Sequence, residues 1–194
     1  MGSMTSLPDG VAASADQTHP LGVGAALPPN LRPETINGKP FDLNKAVRSK
    51  PTVLIFYRGG WCPFCNIQMG QLAELEPQLK ALGYQILAIS ADNPAHLKES
   101  VAKHQLTYTL LSDTDMAAAK AFGLAWHVDD TTYAQMKNHG VDLEAASGRT
   151  DHILPVPAAY VLDRKGVIKF AYANPDFKVR VNPDDLLKAA QAAL

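Results

Sequence analysis

Two cysteines stand three apart in Cys62-Pro63-Phe64-Cys65, and the chain has no others. Thiols at this spacing can close a small disulfide ring. They sit where an apolar run, Val53-Leu54-Ile55-Phe56-Tyr57, gives way past Gly59-Gly60 to a helical pattern. Unpaired backbone N–H groups and the helix dipole stabilise an anion at such a junction. Arg58, four residues before Cys62, adds a permanent positive charge if it folds inward. Surroundings of this kind lower a thiol pKa from about 8.5 to roughly 3.5–7.5, and the thiolate is the reactive species. The pattern points to nucleophilic redox chemistry.

Two other uses of the pair fit less well. A zinc site usually takes four ligands. His96, His104, His127, His139 and His152 supply no pair at His-x3–5-His spacing. An inert buried pair is a poor match for a strand-to-helix turn flanked by Gly-Gly and Trp61. No metal and no cofactor is therefore expected, and no GxGxxG or GxxxxGK[ST] nucleotide motif occurs.

The elements that must position the cysteines alternate. The run at 53–57 reads as a strand buried on both faces. Leu72, Leu75, Leu79 and Leu82 recur at helical steps ended by Gly83, with Pro77 expected to kink the helix. A strand at 85–90 follows, then a helix at about 94–104 opened by Asn93-Pro94. Next come a strand at 108–111 and a helix at about 115–122 closed by Gly123. Ile36–Leu43 reads as a hairpin with Asn37-Gly38 as a type I′ turn. Residues 125–152 read as an insertion with a helix around 130–138, open to covering the site or making a contact between two copies. A late hairpin joins 159–162 to 167–172, and a final helix opens at Asn182-Pro183-Asp184-Asp185. The order implies an α/β sandwich with a central mixed sheet flanked by helices.

The 194 residues suggest one domain, with 46% apolar and 19% charged residues as in ordinary globular chains. A net charge of -1 leaves no basic surplus for nucleic acid. The apolar stretches fall short of the roughly 18 residues a membrane helix needs. Met1-Gly2-Ser3-Met4 reads as an added leader before the natural start, and residues 1–26 as a flexible arm that settles on the domain edge. No secretory signal is visible, so a cytoplasmic location is expected.

Further motifs carry a family resemblance. Phe56-Tyr57-Arg58-Gly59-Gly60-Trp61-Cys62-Pro63-Phe64-Cys65 resembles the active-site segment of the peroxiredoxin-like branch of the AhpC/TSA family. The similarity continues through Ser90-Ala91-Asp92, Leu111-Ser112-Asp113, Ala121-Phe122-Gly123-Leu124, Leu154–Asp163 and Ala173-Asn174-Pro175-Asp176-Phe177. It implies a thioredoxin fold with peroxiredoxin-type additions over 27–194. It also implies a thiol-dependent peroxidase in which a Cys62–Cys65 disulfide is reset by a thioredoxin- or glutathione-type donor.

Two departures stand out. Counting from Phe56-Tyr57, Cys65 falls in the peroxidatic position and Cys62 replaces the threonine that normally binds the peroxide. The family's arginine before the strand ending in Asp163 would lie at Pro157 and is absent there. In thioredoxin-like reductases a cis-proline faces the cysteine pair, so Val156-Pro157 is expected to be cis. The aspartate of thioredoxin would fall at Ile55. By thioredoxin logic Cys62 attacks and Cys65 resolves; by peroxiredoxin logic the roles reverse. A protein disulfide oxidoreductase is the second reading, and a non-enzymatic redox sensor or metal-binding adaptor the third. Arg58 is the expected cation at the sulfur. Trp61 either lines a substrate groove or packs under the loop. Gln68, where relatives carry glutamate, either bonds near the site or lies exposed on the helix.

Overall fold

The computed structural model describes residues 9–194. Its centre is a five-stranded sheet in the order β3-β2-β1-β6-β7. The strands are β1 (Thr52–Phe56), β2 (Gln85–Ser90), β3 (Thr109–Ser112), β6 (Ala158–Leu162) and β7 (Ile168–Ala173). β1 pairs parallel with β2 and antiparallel with β6, so the sheet is mixed, as the element order implies. Every residue of β1 is buried. Alternate side chains therefore feed two cores, because strand side chains point to opposite faces. Leu54 and Phe56 join Leu87, Ile89, Tyr160 and Phe122 on one face. Val53 and Ile55 join Leu72, Leu79, Leu97 and Leu186 on the other.

The second face carries the helices that matter for the cysteines. Helix α2 (Pro63–Ala81) starts directly after Cys62, well before the leucine repeat that announced it, and holds Pro77 in its interior. Helix α3 (Pro94–His104) is capped by Asn93, whose side chain accepts the His96 N–H. Helix α7 (Pro183–Ala192) packs its buried Leu186 and Ala190 against this core, with the Asn182 side chain accepting the Asp184 N–H at 2.8 Å. Losing that cap costs about 1 kcal/mol. Asn182→Ala should lower the urea midpoint by that amount without changing the slope of unfolding free energy against urea.

Three expectations need correction. The hairpin at 36–43 does not form. A single Glu34–Pro40 bridge closes the turn, and Leu43 opens α1 (Leu43–Ser49) because the Asp42 side chain accepts the Lys45 N–H. Asn37 also lacks the positive φ that a type I′ turn needs, and Gly38 alone has it. The insertion is more ordered than its sequence suggests. β4 (Ala125–His127) pairs antiparallel with β5 (Ile153–Pro155), and α5 (Asp130–Asn138) and α6 (Leu143–Ser147) lie between them. The Val156-Pro157 peptide is trans, as are all peptides among the described residues.

From residue 9 the N-terminal arm is tied along the first face. Val11 is buried, Ala12 bridges Trp126, and the Gly24 N–H donates to Ile168 O at 2.8 Å. Gly123, at φ +72, ends α4 (Ala117–Ala121) where the arm passes; a Cβ there would collide with His19 O. The leader at 1–4 lies outside the described residues.

Candidate active site

The cysteines are set by a pinned turn. β1 ends at Phe56, and the chain turns through Gly59-Gly60 into α2. The peptide of Gly60 is held on both sides: its N–H donates to Asp92 Oδ2 at 2.8 Å and its carbonyl accepts from Asn66 Nδ2 at 2.9 Å. No side chain fits here. A Cβ on Gly60 would strike Ser100 Oγ, and one on Gly59 would lie 2.8 Å from Asp92 Oδ1. Asp92 is buried, which pushes its carboxyl up to about 6 while the Gly60 N–H pulls it down.

Cys62 is the N-cap of α2, and its sulfur accepts the Cys65 N–H at 3.4 Å. Both thiols are free and buried. Cys65 Sγ accepts the Arg58 backbone N–H at 3.4 Å. A guanidinium from the far end of the chain completes the group. Arg180 Nη2 lies 3.1 Å from Cys65 Sγ and 3.8 Å from Cys62 Sγ. Its Nη1 donates to Gln68 Oε1 at 2.8 Å and its Nε to Phe177 O at 2.7 Å.

These contacts split the two thiols. The hydrogen bond from Cys65, the helix N–H and the charges of Arg58 and Arg180 outweigh burial at Cys62 and lower it to about 5. Burial, then the neighbouring Cys62 sulfur, drive Cys65 upward. Arg180 lies nearer Cys65, but the deeper burial of Cys65 disfavours its thiolate, so the shifts favour ionisation at Cys62.

Of the residues expected at the site, Cys62, Cys65, Gln68 and Arg58 come together. Gln68 is buried rather than exposed, and it orients Arg180. Arg58 presents its backbone to sulfur. Its guanidinium lies 4.0 Å from the Phe177 ring centroid and 5.0 Å from that of Trp61. Trp61 packs against Val128, Leu143 and Leu154, so the insertion braces the loop. Pro157 is buried one residue before the Phe56–Ala158 pair. The neighbouring Val156 N–H is used by Leu124 O at 2.8 Å and is not free for an extended partner. Arg180 was not anticipated. The Ala173–Phe177 motif gave the only signal, since it leads directly to this arginine. Around the sulfurs Phe64, Ile67 and Val179 are exposed apolar residues, with Phe64 edge-on to Phe177 at 5.8 Å. Among the described residues no helix is long and apolar enough to cross a membrane.

Comparison with known proteins gives the family and the fold. The model of the AhpC/TSA family matches residues 23–171. The chain is 28% identical over 165 residues to "Peroxiredoxin Q, chloroplastic" of Populus jackii, covering 85% of this chain and 66% of that protein. It is 29% identical over 166 residues to the protein of the same name in Triticum aestivum, covering 86% and 65%. The chain thus spans just under two thirds of the length of these relatives. Among solved structures, reduced Prx3 in complex with H2O2 from Vibrio vulnificus superposes with a TM-score of 0.72 at 18% identity, covering 89% of this chain and 98% of that one. At that identity the likeness shows the shared fold.

Proposed function

The chain belongs to the AhpC/TSA family, and from that premise we propose that it is a thiol-dependent peroxidase working through a Cys62–Cys65 dithiol–disulfide cycle. The observation that carries this reading is the Cys62 sulfur at a helix N-terminus, 3.8 Å from the Arg180 guanidinium, where its thiol is lowered to about 5. Cys62 attacks the distal peroxide oxygen. The O–O bond breaks, Cys62 becomes a sulfenic acid, and the leaving alkoxide or hydroxide takes a proton. Arg180 is placed to hold the peroxide oxygens and to stabilise the departing charge. Cys65 then attacks the Cys62 sulfur, forming the disulfide and releasing water. Two electrons have passed from the dithiol to the peroxide. A dithiol donor of the thioredoxin or glutathione type reopens the bond by exchange, which suits a reducing compartment such as the cytoplasm. Because the resolving thiol lies one helical turn away, the sulfenic acid condenses before it oxidises further.

The competing reading, a protein disulfide oxidoreductase, rested on the Cys-x-x-Cys spacing, which both readings share, on a cis Pro157 and on a missing arginine. Pro157 is trans, and Arg180 supplies a guanidinium from another part of the chain.

The pH dependence tests the thiolate assignment. Cys62 is depressed to about 5, so the thiolate persists above that value and is lost as pH falls through it. The second-order rate constant with peroxide should be flat from about pH 6 to 8 and fall roughly tenfold per unit below about 5. A rate that still climbs between about pH 7 and 9 would mark an ordinary thiol and contradict the assignment.

A further inference from the structure

Two guanidiniums act on the Cys62 sulfur: Arg180 lies 3.8 Å from it, and the charge of Arg58 also lowers its thiol. Arg180 reaches Cys65, Cys62, Gln68 and the Phe177 carbonyl, none of which is a carboxylate. Arg58 is only 8% exposed, and its Nε is a buried donor without a partner among the described residues. Neither arginine forms an ion pair with Asp or Glu among those residues. Phe177 joins them: its carbonyl accepts from Arg180 and its ring carries Arg58. In the dithiol state the Cys62 thiolate balances this positive field.

Oxidation removes that balance. The thiolate electron pair enters the S–S bond, and the negative charge leaves with the peroxide oxygen. A cation deprived of water and of its counter-charge is unfavourable, and a guanidinium fork matches an oxyanion with two N–H donors. We propose that the disulfide form of this protein, and not its dithiol form, binds a small oxyanion of the carboxylate or phosphate type between Arg58 and Arg180. The proposal rests on the dithiol–disulfide cycle above. The site is a receptor that opens on oxidation, next to the bond a reducing thiol must reach. A donor bearing a carboxylate would be drawn to it.

Calorimetric titration of inorganic phosphate at constant ionic strength tests this on the whole chain. The disulfide is made with diamide and checked by mass, which separates the test from any peroxidase activity. Saturable binding to the oxidised protein, at least tenfold weaker to the reduced one, is the expected result. A tenfold preference also lowers the two-electron midpoint potential by about 30 mV at saturating phosphate. Arg180→Gln, with its fold verified by circular dichroism, should lose the binding. If that variant does not fold, the comparison of the two redox states decides alone. Reduction by thioglycolate and by 2-mercaptoethanol identifies the source. A donor-borne carboxylate favours thioglycolate, whereas a free oxyanion shows as phosphate slowing 2-mercaptoethanol. Equal binding in both states, or none in either, overturns the proposal. Failure of diamide to link Cys62 and Cys65 overturns the cycle and the proposal together.

Discussion

Cys62→Ser should reduce the peroxide rate constant by at least about 10^3-fold at pH 7 while leaving the fold intact. A serine hydroxyl stays protonated where the Cys62 thiol, lowered to about 5, is ionised, and no other group at this position can attack oxygen. Cys65→Ser should behave differently. It loses the S–H donor that helps hold the Cys62 thiolate, so the first step slows. It nonetheless consumes one equivalent of peroxide and stops at sulfenic acid, climbing to sulfinic acid under excess. A dimedone adduct, located by peptide mass, reads the difference. An adduct on Cys65 in Cys62→Ser, formed at close to the wild-type rate, would reverse the two roles and favour the family's positional count over the electrostatics of this site.

The second large effect concerns Arg180. A hydrogen bond to a charged group contributes about 1.5–3 kcal/mol, which corresponds to a loss of about 10- to 150-fold in rate if it is made in the transition state. Arg180→Gln should fall in that range at pH 7 and should also raise the Cys62 pKa, because its charge is one of the causes that lower it. The thiolate absorbance near 240 nm, followed against pH, reports that shift separately from the rate. Gln68→Leu should produce a smaller loss of the same kind. Among the described residues the Gln68 side chain hydrogen-bonds the guanidinium Nη1, and it acts by orienting it. An Arg180→Gln protein with unchanged rate and unchanged thiolate pKa would remove Arg180 from the mechanism.

The legible parts of this molecule were local. The apolar run 53–57 declared a strand buried on both faces, which forms over Thr52–Phe56, and Asn93-Pro94 and Asn182-Pro183 marked helix starts that side-chain caps produce. The cysteine pair declared itself because its chemistry depends on a spacing of three. Tertiary neighbours were not legible. Arg180 is 115 residues from Cys65, and no local periodicity marks a guanidinium that arrives from the segment between β7 and α7. Gln68 was singled out, but its partner could not be read for the same reason, since its role exists only when Arg180 is beside it. Arg58 was found, and its charge helps lower Cys62, while its backbone N–H serves Cys65 and its side chain stacks on Phe177, neither of which the sequence showed. Helix α1 was missed because Asn37-Gly38 suggested a hairpin more strongly than Asp42 suggested a cap. The strands of the insertion, three residues each, are too short to show an alternation.

The central claim is that a thiolate on Cys62 reduces a hydroperoxide and hands its oxidation to Cys65. Stopped-flow mixing of the fully reduced protein with hydrogen peroxide tests it most directly. Emission from Trp61, which abuts the pair, follows the reaction, and intact mass reads the product. The account predicts a first phase far faster than that of an ordinary free thiol at the same pH. It also predicts a product lighter by two hydrogens, with Cys62 linked to Cys65. A rate no greater than that of a free thiol, or a product that gains oxygen without forming the disulfide, would contradict it.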